Sequence, residues 1–134
     1  MEQSMSRIEK PWGYKIPIFE SENVIVDHLF ILPGGYSSIH QHKFLHNRFY
    51  VLDPDKRLEI QVFEIANGSV NPVDHVTVSW ENNSIAVPPK IWHRFRNPDE
   101  KQEVQVIEIS YLAGISIEDD IFRVPGFEKG GFSE

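Results

Sequence analysis

The chain has 134 residues, 40% of them hydrophobic, which is the size of one domain with enough core to fold without crosslinks. It contains no cysteine, so disulfides and thiolate metal sites are excluded and any metal must rest on nitrogen and oxygen. With 20 acidic residues against 13 basic ones, the formal charge of −7 disfavours general binding to nucleic-acid phosphates.

The opening Met-Glu-Gln-Ser-Met-Ser-Arg lacks the apolar run of a signal peptide. No stretch approaches the ~20 apolar residues of a membrane span, so a soluble, cytoplasmic protein with no membrane partner is expected. Residues 23–32 are rich in β-branched and aromatic side chains and read as a strand, closed by a Pro33-Gly34-Gly35 turn. His40, His42 and His46 follow at once, then a second turn at Asp53-Pro54-Asp55.

Residues 57–65 alternate, with Leu58, Ile60 and Val62 on one face and Arg57, Glu59 and Gln61 on the other. Ala66-Asn67-Gly68 is a turn, and 75–81 alternates again with Val76, Val78 and Trp80 on one side. Glu81-Asn82-Asn83 and Asn97-Pro98-Asp99 are further turns; 84–87, 91–97 and 103–111 are further strands. Residues 117–122 have room for one helical turn, and 126–134, with three glycines, read as a flexible tail. No repeat or linker interrupts the pattern, so 1–125 is expected to be a single all-β domain.

The six histidines are unevenly placed. In a strand, residues i and i+2 point the same way, so His40 and His42 would present both rings on one face about 7 Å apart. His93 alternates with Ile91, Phe95 and Asn97 and therefore faces inward, while Trp92, Arg94 and Arg96 face outward. Lys90, His93, Arg94 and Arg96 also make a basic cluster within an acidic chain. One inward histidine is ordinarily a hydrogen-bonded core residue. Four neutral imidazoles brought together leave ring nitrogens that need partners, which an ion supplies. Of the aromatics near the histidines, Phe44, Phe49, Tyr50, Trp80 and Phe95 are expected mostly in the core. Trp92, beside two arginines, is expected at a subunit interface.

These residues resemble the two motifs of the cupin superfamily. The first motif has a glycine, five residues, His-x-His, three or four residues and a glutamate; here Gly34 precedes His40-Gln41-His42, with His46 and Asn47 at the two glutamate positions. The second motif has Pro-x-Gly, two residues, His, three residues and Asn; here Pro88, His93 and Asn97 are in register and Lys90 replaces the glycine. Glu9-Lys10-Pro11-Trp12-Gly13 and the closing Glu118-Asp119-Asp120-Ile121-Phe122-Arg123 resemble the cupin domain of bifunctional mannose-1-phosphate guanylyltransferase/mannose-6-phosphate isomerases, without the nucleotidyltransferase half.

The resemblance implies a double-stranded β-helix, or jelly-roll, barrel that forms homodimers. It implies one divalent metal held by His40, His42 and His93, with His46 preferred and Asn47 as alternate in the glutamate position. Nitrogen ligands suit zinc, manganese, iron, nickel or copper better than magnesium or calcium. The implied activity is isomerisation of a small sugar or sugar phosphate. In that reaction Glu108, which shares a face with Val104 and Val106, would shuttle the proton, and Arg123 would bind an anionic group. An all-histidine site also suits a ferrous dioxygenase, and the missing carboxylate suits a non-catalytic sugar-binding cupin.

Overall fold

The computed structural model describes residues 6–83, 85–112 and 125. The expected turn of helix at 117–122, Arg123 and the tail at 126–134 lie outside them. Among the described residues nine strands follow in order: β1 (Ile8–Lys10), β2 (Gly13–Glu20), β3 (Val24–Ile31), β4 (Leu45–Val51), β5 (Arg57–Ala66), β6 (Ser69–Ser79), β7 (Ala86–Val87), β8 (Trp92–Arg96) and β9 (Val104–Leu112). They form an antiparallel six-stranded sheet, β1-β2-β3-β9-β4-β7, and a three-stranded sheet, β6-β5-β8. Among the described residues no helix is long and apolar enough to cross a membrane.

The alternation seen in the sequence is the alternation of burial. Leu58 and Ile60 of β5, Val78 of β6, Phe95 of β8 and Val104 and Val106 of β9 point into one core with Leu29, Ile31, Phe49 and Val51. Trp12 closes it, meeting Phe95 edge to face at 5.0 Å. The hairpin joining β5 to β6 turns on Asn67 and Gly68, whose φ angles of 52° and 79° match a two-residue loop that follows the strand twist.

Asn97 is fully buried and knits three segments together. Its Nδ2 donates to the carbonyls of Ile31, Leu32 and Gln102, and its Oδ1 accepts from the Asp99 amide.

Sequence and structure part company in several places. β1, β2 and β4 are strands without a clean alternation, and β6 starts at Ser69, well before the expected 75. Phe44 and Trp80 are exposed rather than core, at 65% and 52%. Trp92 is half-buried; beside it Arg94 donates to Gln61 and Arg96 pairs with Glu59, so the two arginines of the basic cluster are engaged within the three-stranded sheet.

What positions the site is a change along the inward rows. In β3 the inward row runs Ile31, Leu29, Asp27; in β4 Val51, Phe49, Asn47; in β9 Val104, Val106, Glu108, Ser110. The strand register puts Asp27, Glu108 and Phe49 in one cross-sheet row and Asn47 beside Ser110 in the next. One half of the interior is packed hydrocarbon. The other half is polar.

Candidate metal centre

His40-Gln41-His42 does not lie in a strand, as the spacing suggested, but in the loop between β3 and β4. The loop is clamped by backbone bonds on both sides. His40 and His93 exchange both amide-to-carbonyl bonds at 2.9 and 2.8 Å, and the Lys90 amide donates to the His42 carbonyl at 2.7 Å. Lys90 adopts φ of 67°, a left-handed conformation that favours glycine, which is what the cupin motif carries there.

This clamp brings three imidazoles together. One ligand atom from each of His40, His42 and His93 lies within 4.8 Å of the others. The ring centroids are 5.2 Å apart for His40–His42, 4.6 Å for His40–His93 and 5.8 Å for His42–His93. His40 Nδ1 donates to the Ser38 carbonyl and His93 Nδ1 to the Ile91 carbonyl, each at 2.8 Å. Those bonds fix the tautomer, so each Nε2 keeps its lone pair free.

Burial lowers the His93 pKa to about 4; the neighbouring His40 and His42 push the same way against the Ile91 bond. Burial, then His40, lowers that of His42 as well. Both shifts favour the neutral ring. The Nε2 atoms of His42 and His93 are buried without a hydrogen-bond partner among the described residues. Orphaned lone pairs converging from neutral rings are what a divalent transition metal takes up, so the donor set fits one. With three protein ligands, coordination positions stay open for water or substrate.

The fourth imidazole is not there. His46 and Asn47 are consecutive in β4 and so face opposite ways; Asn47 takes the inward position, and His46 stacks on Tyr111 outside the sheet at 5.5 Å. The expectation that four histidines meet is corrected to three. Asn47 is fully buried, donating to Ser110 Oγ at 2.7 Å and to Glu108 Oε2 at 3.3 Å, while its Oδ1 has no partner.

Glu108 points inward opposite Asp27. Burial, reinforced by Asp27, raises its pKa to about 7, against the opposing pull of Lys15 and Lys10. Asp27 is buried and pairs with Lys15 at 3.2 Å. The sequence reading missed both members of this pair. Its signal was a lone carboxylate interrupting the otherwise apolar inward row of β3.

These groups share one cavity of about 670 Å³, lined by His40, His42, Asp27, Glu108, Lys15 and Trp12 among others. Two imidazoles stand on its wall together with a carboxylate able to hold or release a proton near neutrality. The arrangement can bind a small polar molecule and move a proton on it.

No family model matches the chain. A mannose-1-phosphate guanylyltransferase from Sinorhizobium fredii is 32% identical over 115 residues, covering 86% of this chain and 20% of that protein, so the chain spans about a fifth of its length. Among solved structures, an RmlC-like cupin from Shewanella frigidimarina superposes with a TM-score of 0.57 at 16% identity, covering 88% of this chain and 90% of that one. The capsular polysaccharide assembling protein CapF from Staphylococcus aureus gives a TM-score of 0.62 at 13% identity, covering 85% of this chain and 34% of that one.

Proposed function

We propose that this chain, which has the cupin fold, is a metal-dependent isomerase of a small sugar or sugar phosphate. The observation that carries the reading is the convergence of three imidazoles, two with orphaned Nε2 atoms, beside a cavity that Glu108 also lines. Likeness to a sugar-nucleotide enzyme and to a polysaccharide-assembling protein supports a sugar-like ligand.

His40, His42 and His93 would hold the ion. When bound, it supplies Lewis-acid polarisation of the substrate's carbonyl and hydroxyl oxygens. Glu108 takes the proton from the carbon next to the carbonyl and returns it to the carbonyl carbon, while the hydroxyl proton passes from the hydroxyl oxygen to the former carbonyl oxygen; a pKa about 7 suits both halves of the carbon-proton transfer. Asn47 holds the Glu108 carboxylate by its amide, and Lys15 neutralises Asp27, so that Glu108 carries the titrating proton. Arg123, by its place in the closing segment, is assigned to the anionic end of the substrate.

The test is interconversion of mannose 6-phosphate and fructose 6-phosphate by metal-loaded protein. Wild type should turn over, and Glu108→Gln should lose at least ~100-fold in kcat with its metal content unchanged. Equal activity in Glu108→Gln would remove the base from the reading. The all-nitrogen donor set favours a second reading, a ferrous dioxygenase. Oxygen uptake by iron-loaded protein, with no sugar turnover, would select it.

A further inference from the structure

We infer that the hairpin tip at residues 10–13 selects the anionic end of the cavity's ligand, through the Lys10 ammonium and the Trp12 indole N–H. The sugar part of that ligand rests on the isomerase reading; the selection of charge rests on the cavity alone. Lys10 pairs with Gly13, so Pro11 and Trp12 form a two-residue loop between β1 and β2. The loop carries Trp12 inward against Phe95, to 9% exposure, and leaves Lys10 exposed beside it. Both residues line the cavity.

Each presents a donor that the protein leaves unused. Lys10 makes no ion pair or hydrogen bond with any described residue, whereas Lys15, which also lines the cavity, is held by Asp27 at 3.2 Å. The Trp12 N–H likewise bonds no described residue, and it is not sealed off from solvent. A buried indole N–H ordinarily finds a partner, so this one is open to whatever fills the cavity. Arg123 lies outside the described residues; these two donors are what the cavity wall itself offers an anion.

The carboxylates on the wall do not cancel Lys10. Asp27 is neutralised by Lys15, and Glu20 stands at the far end of β2 from Gly13, about 20 Å along the strand. The Lys10 charge is felt at Glu108, where burial and Asp27 raise the pKa and Lys15 and Lys10 oppose them. The strands of Lys10 and Glu108 lie three spacings apart, ~14 Å, a gap that a lysine side chain and a hexose phosphate together bridge. No arginine lines the cavity among the described residues, so the forked donor that best fits a carboxylate is missing. A compact ammonium and one separate N–H suit the divergent oxygens of a phosphate monoester.

Titration calorimetry on the full chain without added metal tests this, with mannose 6-phosphate, mannose and glucuronate as probes. Mannose 6-phosphate should bind at least about tenfold more tightly than mannose, and glucuronate should fall short of it. Lys10→Ala, at an exposed position that does not threaten folding, should abolish the preference for the phosphate and leave mannose binding unchanged. Lys10→Arg should retain the preference, and Trp12→Phe should weaken mannose 6-phosphate about threefold or more. Lys101→Ala, outside the cavity, should change nothing. Equal affinity for mannose 6-phosphate and mannose, tighter binding of glucuronate, or no binding of the phosphate at millimolar concentration would overturn the proposal. So would a Lys10→Ala or a folded Trp12→Phe protein that binds mannose 6-phosphate as wild type does. If circular dichroism shows Trp12→Phe unfolded, the Lys10 variants decide. Affinity is read without metal or turnover, so a chain that holds the phosphate through Lys10 but isomerises nothing loses the enzymatic reading and keeps this one.

Discussion

His93 and Glu108 face the same interior, and burial shifts them in opposite directions. The His93 pKa falls from 6.5 to about 4, so an unfolded chain binds more protons than the folded one in that window. The stability it contributes is present above pH 6.5 and is lost as pH falls towards 4. The Glu108 pKa rises from 4.5 to about 7, so its contribution is present below pH 4.5 and is lost as pH rises through 7. Between roughly 4.5 and 6.5 the two slopes oppose. Metal-free wild type should therefore show a shallow profile there. Glu108→Gln should expose the histidine slope, losing about 3 kcal/mol as pH drops from 6.5 to 4. Urea unfolding at stepped pH measures it, and a profile unchanged by Glu108→Gln would contradict the opposing shifts.

At the scale of elements, local backbone geometry decides what the site tolerates. Lys90 stands at φ 67° while its amide holds the His42 carbonyl, so Lys90→Gly should keep the clamp and stabilise the fold by up to about 1 kcal/mol. Gly13 has φ 147°, and a Cβ there would drive into the Phe30 carbonyl across the β2–β3 pair. Gly13→Ala should cost about 2 kcal/mol or more, read from the same unfolding curves. How legible each element was follows from its two faces. β5 alternates from Arg57 to Gln61 because one side is hydrocarbon and the other is wetter. In β4 the inward row includes Asn47 and the outward row mixes His46, Arg48 and Tyr50, so neither face reads as apolar. β2 hides because Lys15 and Pro17 point into the cavity, and the first half of β6 is exposed on both faces. The same parity explains the error at His46. Motif spacing allowed either neighbour inward, and only the β4 register decides between them.

For the whole molecule, a metal held by the native trio and not by the unfolded chain must raise stability. At a free-ion concentration 100 times the dissociation constant the gain is about 2.7 kcal/mol. Thermal melts with added zinc or manganese should show it in wild type and lose it in His42→Ala and His93→Ala; equal shifts in all three would take those rings out of the site. The all-β class and the inward His93 were legible from period-two patterning, and the cupin barrel and the His40–His42 pair from the motif resemblance. The Asp27–Lys15 pair was not, because it joins different strands whose register no local pattern reveals.

The change from hydrocarbon to polar side chains along β3, β4 and β9 also sets a depth. Leu29, level with Val106 and Val51 in the strand register, lines the cavity together with Ile25 and Leu45. Four residues of strand, from Leu29 to Ile25, measure ~13 Å. On the proposed sugar reading, that span accommodates one ring and its phosphate. Longer saccharides would have to leave their remaining units outside.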